Sequence, residues 1–271
     1  MPALSLTIRV RQISRALLAV LWTAVCYLAW LPGALLTLPF RRPLRRWKAV
    51  GIRMWTRGLL VILGIRVREL GTPPALPAFF VANHLSWVDI LVLGARLGPT
   101  FVAKQEIAAW PVLGHLATAT GAIFVDRGRR RDVLRVLREI DRAVDEGATI
   151  VLFPEGTSSR GDQVYPLRPA LLEWAAQRSH PVQIVALSYG TSSPGWSAEE
   201  TVCWWGDRPF GEHFRGVLSI PSVEAILAFS DTPVVSADRQ VLRARLHEQL
   251  ARGLHTAKLA LPDALAPAPQ G

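Results

Sequence analysis

Phe79-Phe80-Val81-Ala82-Asn83-His84-Leu85-Ser86-Trp87-Val88-Asp89 is the stretch whose reading decides the fold. Ala78 to Ala82 is a short apolar run after the turn-rich Gly71-Thr72-Pro73-Pro74, which is the pattern of a buried strand. The run stops at two polar residues, Asn83 and His84. Val88, Ile90, Leu91 and Leu93 then follow at the spacings of a partly buried helix. A strand end running into a helix start is where α/β proteins present reactive side chains. That predicts His84 at the carboxyl end of the strand and Asp89 one turn into the helix. The change of direction brings the carboxylate back toward the imidazole, fixing its tautomer and making the other nitrogen a better proton acceptor. The same His-x4-Asp spacing also occurs in caps and surface pairs, so a site needs further parts downstream.

Outward from that stretch, short apolar runs alternate with helix-period segments from Pro73 onward, the signature of a βα-type domain. The predicted strands are Ala78–Ala82, Phe101–Ala103, Ala122–Val125, Thr149–Phe153 and Val182–Ser188, with a further extended stretch at Gly216–Phe229. Val133, Leu137, Ile140 and Val144 recur at three and four, marking an amphipathic helix closed by Gly147. Further helices are predicted over Leu167 to Arg178 and Ala237 to Leu259. The fold class is therefore α/β, a mixed sheet flanked by helices.

Three downstream segments carry chemistry. Val151-Leu152-Phe153-Pro154-Glu155-Gly156-Thr157-Ser158 runs a hydrophobic strand into a carboxylate, a glycine and small hydroxyls. Gly156 permits close backbone approach to a ligand, and Glu155 can hold a substrate hydroxyl or amine, although Pro-Glu-Gly-Thr is also a well-formed turn. Phe124-Val125-Asp126-Arg127 ends a strand in a guanidinium whose fork matches a phosphate. Lys104, just after a strand, offers a cation to an oxyanion or a phosphate; otherwise it is an exposed strand-end lysine. There is no G-x-S-x-G nucleophile elbow, no G-x-x-x-x-G-K phosphate loop and no H-E-x-x-H. The remaining histidines lack metal-ligand spacing, so no metal site is expected. His84 then has to act directly on a substrate hydroxyl.

The amino-terminal region reads differently. Ala16 to Phe40 carries no charged residue, long enough to cross a bilayer core of about 30 Å. Arg9, Arg11 and Arg15 precede it, and Arg41, Arg42, Arg45, Arg46 and Lys48 follow. Pro32-Gly33 is expected to break the helical pattern, leaving a full span and a kinked dip into one leaflet both open. Met54 to Ile65 reads as an interfacial amphipathic helix, and Trp22, Trp30, Trp47 and Trp55 as anchors at headgroup depth. The region 1–70 is thus a membrane-associated helical pair, 71–261 the α/β domain, and the Ala/Pro-rich 262–271 a disordered tail.

Composition bounds the partners. Lys+Arg exceed Asp+Glu by 31 to 21, for a formal charge of +10, and half of the 271 residues are hydrophobic. A basic chain with apolar segments suits an anionic membrane face. Nucleic acid, the rival partner, has no recognisable binding signature here. Two cysteines exclude a disulfide scaffold.

Asn83-His84-x4-Asp89, Lys104-x-Glu106 with Pro111-x-x-Gly114, Phe124-Val125-Asp126-Arg127 and Phe153-Pro154-Glu155-Gly156-Thr157 resemble, in order, the blocks of the glycerophospholipid acyltransferases. By motif the chain is most similar to the bacterial 1-acyl-sn-glycerol-3-phosphate acyltransferases. The resemblance covers roughly residues 75 to 190, and four blocks in order are far more specific than any one. It implies transfer of a fatty acyl chain from acyl-CoA or acyl carrier protein, as co-substrate and without a cofactor, to a lysolipid hydroxyl, most readily that of 1-acyl-sn-glycerol-3-phosphate. In that reading His84 is the general base and Asp89 its orienting partner. Arg127 and Lys104 engage the acceptor phosphate, and Glu155, Gly156 and Thr157 shape the acceptor site. The location implied is the cytoplasmic face of the inner membrane. Ser158 stands where many phosphatidate-forming members carry arginine, which brings in a lyso-ornithine lipid, lacking glycerol phosphate, as second acceptor; Arg160 and Arg168 lie nearby as substitutes. A non-catalytic membrane-surface lipid-binding protein is the alternative from a different class.

Overall fold

Phe79–Ala82 is buried on both faces, as the central strand of a parallel array has to be. Phe79 and Val81 point into one hydrophobic core, while Phe80 and Ala82 point into the other, so one strand feeds both layers. The computed structural model describes residues 6–111, 113–126, 129–191, 193 and 195–261. Among them the strands are β1 (Ile65–Leu70), β2 (Phe79–Ala82), β3 (Thr100–Lys104), β4 (Ile123–Val125), β5 (Ile150–Leu152), β6 (Val182–Thr191) and β7 (Val223–Phe229). They form one seven-stranded sheet in the order β1-β7-β6-β2-β5-β3-β4. Only β6 and β7 pair antiparallel. The expected mixed sheet flanked by helices is therefore present.

The helices are α1 (Leu6–Thr37), α2 (Arg41–Leu63), α3 (Val88–Leu97), α4 (Leu113–Thr120), α5 (Arg130–Asp145), α6 (Glu173–Gln177), α7 (Ala198–Thr201), α8 (Phe210–Ser219) and α9 (Arg239–Leu259). Asp238 caps α9 by accepting from the amides of Gln240 and Val241, which places that helix start within two residues of its predicted position. Two expectations fail. Gly216–Phe229 is not one extended stretch, because residues 216–219 complete α8 and β7 begins only at Val223. The sheet also starts before residue 71: β1 lies inside the region assigned to the membrane helices and pairs with β7. Ile65-Arg66-Val67-Arg68 does alternate apolar and polar side chains, but the strand is short, mostly exposed and follows directly on the apolar end of α2, which hides it. The tail 262–271 lies outside the described residues.

The amino-terminal hairpin also differs from expectation. Pro32 sits inside α1 without ending it, and the turn comes at residues 38–40 instead. The helix stays continuous because proline removes one amide but α2 braces that segment on one side. The four tryptophans are not free anchors. Trp22 Nε1 donates to the Trp55 carbonyl at 2.9 Å, Trp47 Nε1 to the Trp30 carbonyl at 2.9 Å, and Trp55 Nε1 to Thr23 Oγ1 at 3.0 Å. Three of the four rings sit over a glycine of the opposite helix. A methyl on Gly58, Gly51 or Gly33 would fall 2.1, 2.6 or 2.2 Å from the rings of Trp22, Trp30 and Trp47 respectively. Half-buried indoles are thus spent on the seam, where the N–H of Trp22 and Trp47 finds a carbonyl and that of Trp55 a hydroxyl.

The flanking basic residues are partly spent as well. Arg11 donates to the Ser219 carbonyl at 2.8 Å, and Arg15 to the carbonyls of Leu218 at 3.2 Å and Pro221 at 2.9 Å, so both cap the carboxyl end of α8. The outer face of α1 keeps Leu17, Val20, Leu21, Leu28, Leu35 and Leu36 more than half exposed.

Candidate active site

The backbone at the end of β2 has to leave the sheet, and Asn83 makes that possible. Its side chain donates to the Leu187 carbonyl at 3.0 Å and accepts from the Leu187 amide at 2.7 Å, replacing one rung of the ladder to β6. Freed from pairing, His84 turns out at the carboxyl edge of the sheet.

There the imidazole meets Asp89, with Nδ1 to Oδ2 at 2.7 Å. The same Oδ2 accepts from the amides of Leu85 at 2.7 Å and Ser86 at 3.0 Å, while Oδ1 accepts from the Tyr189 hydroxyl at 2.6 Å. Three surrounding donors leave Asp89 acting only as an acceptor, so the proton of the His84 pair belongs on Nδ1. Nε2 then carries a lone pair. Asp89 is fully buried, whereas the His84 side chain is 24% exposed. Burial, with the Asp89 carboxylate beside it, pushes the Tyr189 phenol well above its ordinary value, so Tyr189 holds its proton as a donor.

The main chain of His84 is gripped equally. Its amide donates to Glu155 Oε1 at 2.7 Å, and its carbonyl accepts from the Ser159 amide at 2.8 Å and from Ser159 Oγ at 3.3 Å. The ring stacks on Phe153 with centroids 4.2 Å apart. Among the described residues, Nε2 is the one polar atom of His84 without a partner.

Glu155 departs from its expected place in an acceptor pocket. Oε2 accepts from the Tyr165 amide at 2.7 Å, so both oxygens serve backbone N–H groups, and the residue is only 3% exposed. A carboxylate so occupied braces the loop instead of facing a ligand. Burial pushes its carboxyl up to about 7; the amides of Tyr165 and His84 pull the other way, and the Asp89 charge adds to the rise. Gly156 beside it is buried at φ 78°, a conformation that reverses the loop and suits glycine alone.

Thr157 is exposed on the same loop, and Ser158 Oγ donates to the Trp204 carbonyl. Arg160 pairs with Glu199 and stacks over Trp205 at 5.3 Å, while Arg168 is exposed and its amide donates to the Pro154 carbonyl at 2.8 Å. Lys104 ends β3, exposed, on the same edge of the sheet as His84. Two strand spacings set it about 10 Å from the end of β2. Among the described residues the Lys104 ammonium makes no hydrogen bond or ion pair. Arg127 lies outside the described residues; its neighbour Asp126 pairs with Arg129 at 3.3 Å.

Asn83 and Tyr189 are the partners that sequence reading missed as parts of the site. A usable signal existed for Tyr189, an aromatic hydroxyl just past the end of the mostly apolar predicted strand Val182–Ser188. The buried His213 accepts from Trp87 Nε1 at 3.1 Å. Burial and the nearby Arg208 lower its pKa to about 4, which keeps it neutral and able to accept.

The family model described as Acyltransferase matches residues 64–190. Two curated lyso-ornithine lipid O-acyltransferases are similar over much of the chain. The Brucella abortus protein is 33% identical across 77% of this chain and 82% of its own length, and that of Pseudomonas aeruginosa is 37% identical across 59% and 58%. The 1-acyl-sn-glycerol-3-phosphate acyltransferase of Neisseria meningitidis is 38% identical across 49% of this chain and 53% of its own. In fold, the crystal structure of the 1-acyl-sn-glycerophosphate (LPA) acyltransferase PlsC from Thermotoga maritima superposes with a TM-score of 0.65 at 21% identity, covering 93% of this chain and all of that one. The expected resemblance is thus met in sequence and in fold, and the chain belongs to the acyltransferase family.

Proposed function

We propose that this protein transfers a fatty acyl group from an acyl thioester, acyl-CoA or acyl carrier protein, to the free hydroxyl of a lysolipid. The observation that carries the reading is the His84–Asp89 pair, with Nε2 left as the unpartnered lone pair beside solvent. Nε2 takes the proton of the acceptor hydroxyl as its oxygen attacks the thioester carbonyl. The tetrahedral adduct collapses, the C–S bond breaks, and the imidazolium returns the proton to the departing thiolate. A thioester is already activated, so no acyl-enzyme is required, and a placed base contributes about 10²–10⁴-fold. Asp89 holds the ring and balances the imidazolium; Glu155 and Ser159 hold its backbone.

A lyso-ornithine lipid is the acceptor we favour. Ser158 stands where an arginine would face a phosphate, and the loop's next cation, Arg160, is committed to Glu199. An ornithine-headed acceptor needs no phosphate grip. The second reading, 1-acyl-sn-glycerol-3-phosphate, has the uncommitted Lys104 in its favour. The chain works from one membrane leaflet, at the cytoplasmic face of the inner membrane, where both donor types reside. In support, α1 is tied to α8 at one end and to α2 along its length, which leaves its leucine face for lipid. We read the hairpin as lying flat, with that face in the lipid.

The test is release of free thiol from acyl-CoA by purified protein offered a panel of lysolipids. We expect turnover with the lyso-ornithine lipid exceeding that with 1-acyl-sn-glycerol-3-phosphate, and none in His84→Ala. Retained turnover in that variant removes His84 as base, and no thiol release with any lysolipid leaves a lipid-binding protein.

A further inference from the structure

Three arginines converge on one groove at the end of α3 remote from His84. The groove, of about 630 Å³, runs along α2 between α1 and the carboxyl end of α3. Arg53, Arg57 and Arg96 stand on its α3 side, and Val50, Met54 and Val61 form its floor. Ligand sites commonly enclose about 300–1,000 Å³. Arg96 lies roughly two turns beyond Asp89 on α3, so about 10 Å of helix separates this groove from the His84 pair.

The antiparallel packing of α2 on α3 brings the arginines together. Arg53 Nη1 donates to the Leu97 carbonyl at 3.4 Å and Arg57 Nε to the Ala95 carbonyl at 3.1 Å, placing both cations at the negative end of the α3 dipole. That task takes one donor from each guanidinium, which has five. Arg96 pairs with Glu69 at 2.7 Å. Among the described residues Arg53 and Arg57 have no acidic partner, so three cations meet one carboxylate. Burial, and then the charges of Arg57 and Arg96, lower the pKa of Arg53, as expected of guanidinium groups held close together. Their forks match the oxygens of a phosphate.

The floor narrows the choice of anion. Val50, Met54 and Val61 are exposed at 50%, 40% and 80%, apolar side chains directly beside the cations. Across the groove stands Trp22 of α1, and Leu18 and Val25, one turn to either side of it, are exposed at 51% and 49%. Apolar surface thus runs from beside the arginines to the outer face of α1, which suits a ligand with a phosphate at one end and a hydrocarbon chain at the other.

We propose that this groove seats one anionic membrane phospholipid, its phosphate held by Arg53, Arg57 and Arg96 and one acyl chain lying along Val50, Met54 and Val61. The bound lipid neutralises the cluster and fixes α2 and α3 at headgroup depth. It is not consumed, so this inference stands or falls separately from the proposed reaction.

The experiment is native mass spectrometry of the full chain released from vesicles of equal phosphatidylglycerol and phosphatidylcholine. We expect one retained phosphatidylglycerol per chain, in preference to phosphatidylcholine. Arg57→Gln should cut that preference about tenfold. Arg142→Gln removes the same charge from an exposed position of α5, on the opposite layer of the sheet, and should leave the preference unchanged. Arg53→Gln reports separately if the Arg57 variant fails to fold. Unchanged preference in the folded groove variants overturns the site, and an equal loss in Arg142→Gln reduces it to diffuse surface charge. Equal retention of both phospholipids by the native chain overturns the headgroup assignment. Release of the lipid by millimolar glycerol 3-phosphate gives the groove to a free phosphate, and displacement by equimolar lysolipid or acyl-CoA gives it to a substrate; either result overturns the proposal.

Discussion

At the residue scale, the site is a set of hydrogen bonds with one lone pair left over. Asp89 accepts from Tyr189, and losing that hydroxyl leaves Oδ1 buried and unpaired. Tyr189→Phe is therefore expected to lower kcat about tenfold, the equivalent of about 1.4 kcal/mol, with the acceptor KM unchanged; a KM effect alone would mean that Tyr189 touches substrate. Glu155 adds a pH dependence. Its carboxyl is raised from 4.5 to about 7, so at lower pH one of its oxygens becomes an O–H facing an amide of His84 or Tyr165. We expect kcat to fall as pH drops through about 7, and the step to be missing in Glu155→Gln, whose rate is lower throughout. The stability effect has the opposite sign. The folded chain keeps a proton that the unfolded chain releases, so this group's contribution is complete below 4.5 and is lost as pH rises toward about 7. Chemical denaturation across that range, native chain against Glu155→Gln, measures it.

At the scale of elements, the α1–α2 hairpin is held by shape. Trp22 over Gly58 leaves no room for a side chain, since even a methyl would lie 2.1 Å from the indole. Gly58→Val should destabilise the chain by about 1–3 kcal/mol, the ordinary cost of overpacking, and loosen α1. Thermal unfolding reads the first and proteolysis within residues 6–37 the second; an unchanged melting temperature would mean that the notch is not tight. The matching of bulky ring to glycine also accounts for the helix through Pro32, because the seam supplies contacts that a lone helix lacks.

Across the whole molecule, the excess of 31 basic over 21 acidic residues and the leucine face of α1 give membrane binding two components. The charge component is screened over about 8 Å at physiological ionic strength, while the apolar one is not. Binding to phosphatidylglycerol vesicles should weaken with salt yet level off above zero in a flotation assay. Complete release by salt would leave the leucine face without a role. What the sequence determined by itself was the local part. Strand and helix periods gave the α/β class, and the strand-to-helix switch at Asn83-His84 gave the position of a pair only five residues apart. Those signals are legible because neighbours in sequence create them. Tertiary structure decided the rest: Tyr189 arrives from 100 residues away, Glu155 turns its two oxygens to backbone instead of ligand, and the indoles close on glycines of another helix. Each depends on two distant segments meeting, and a side chain's residue type does not record which partner it will meet.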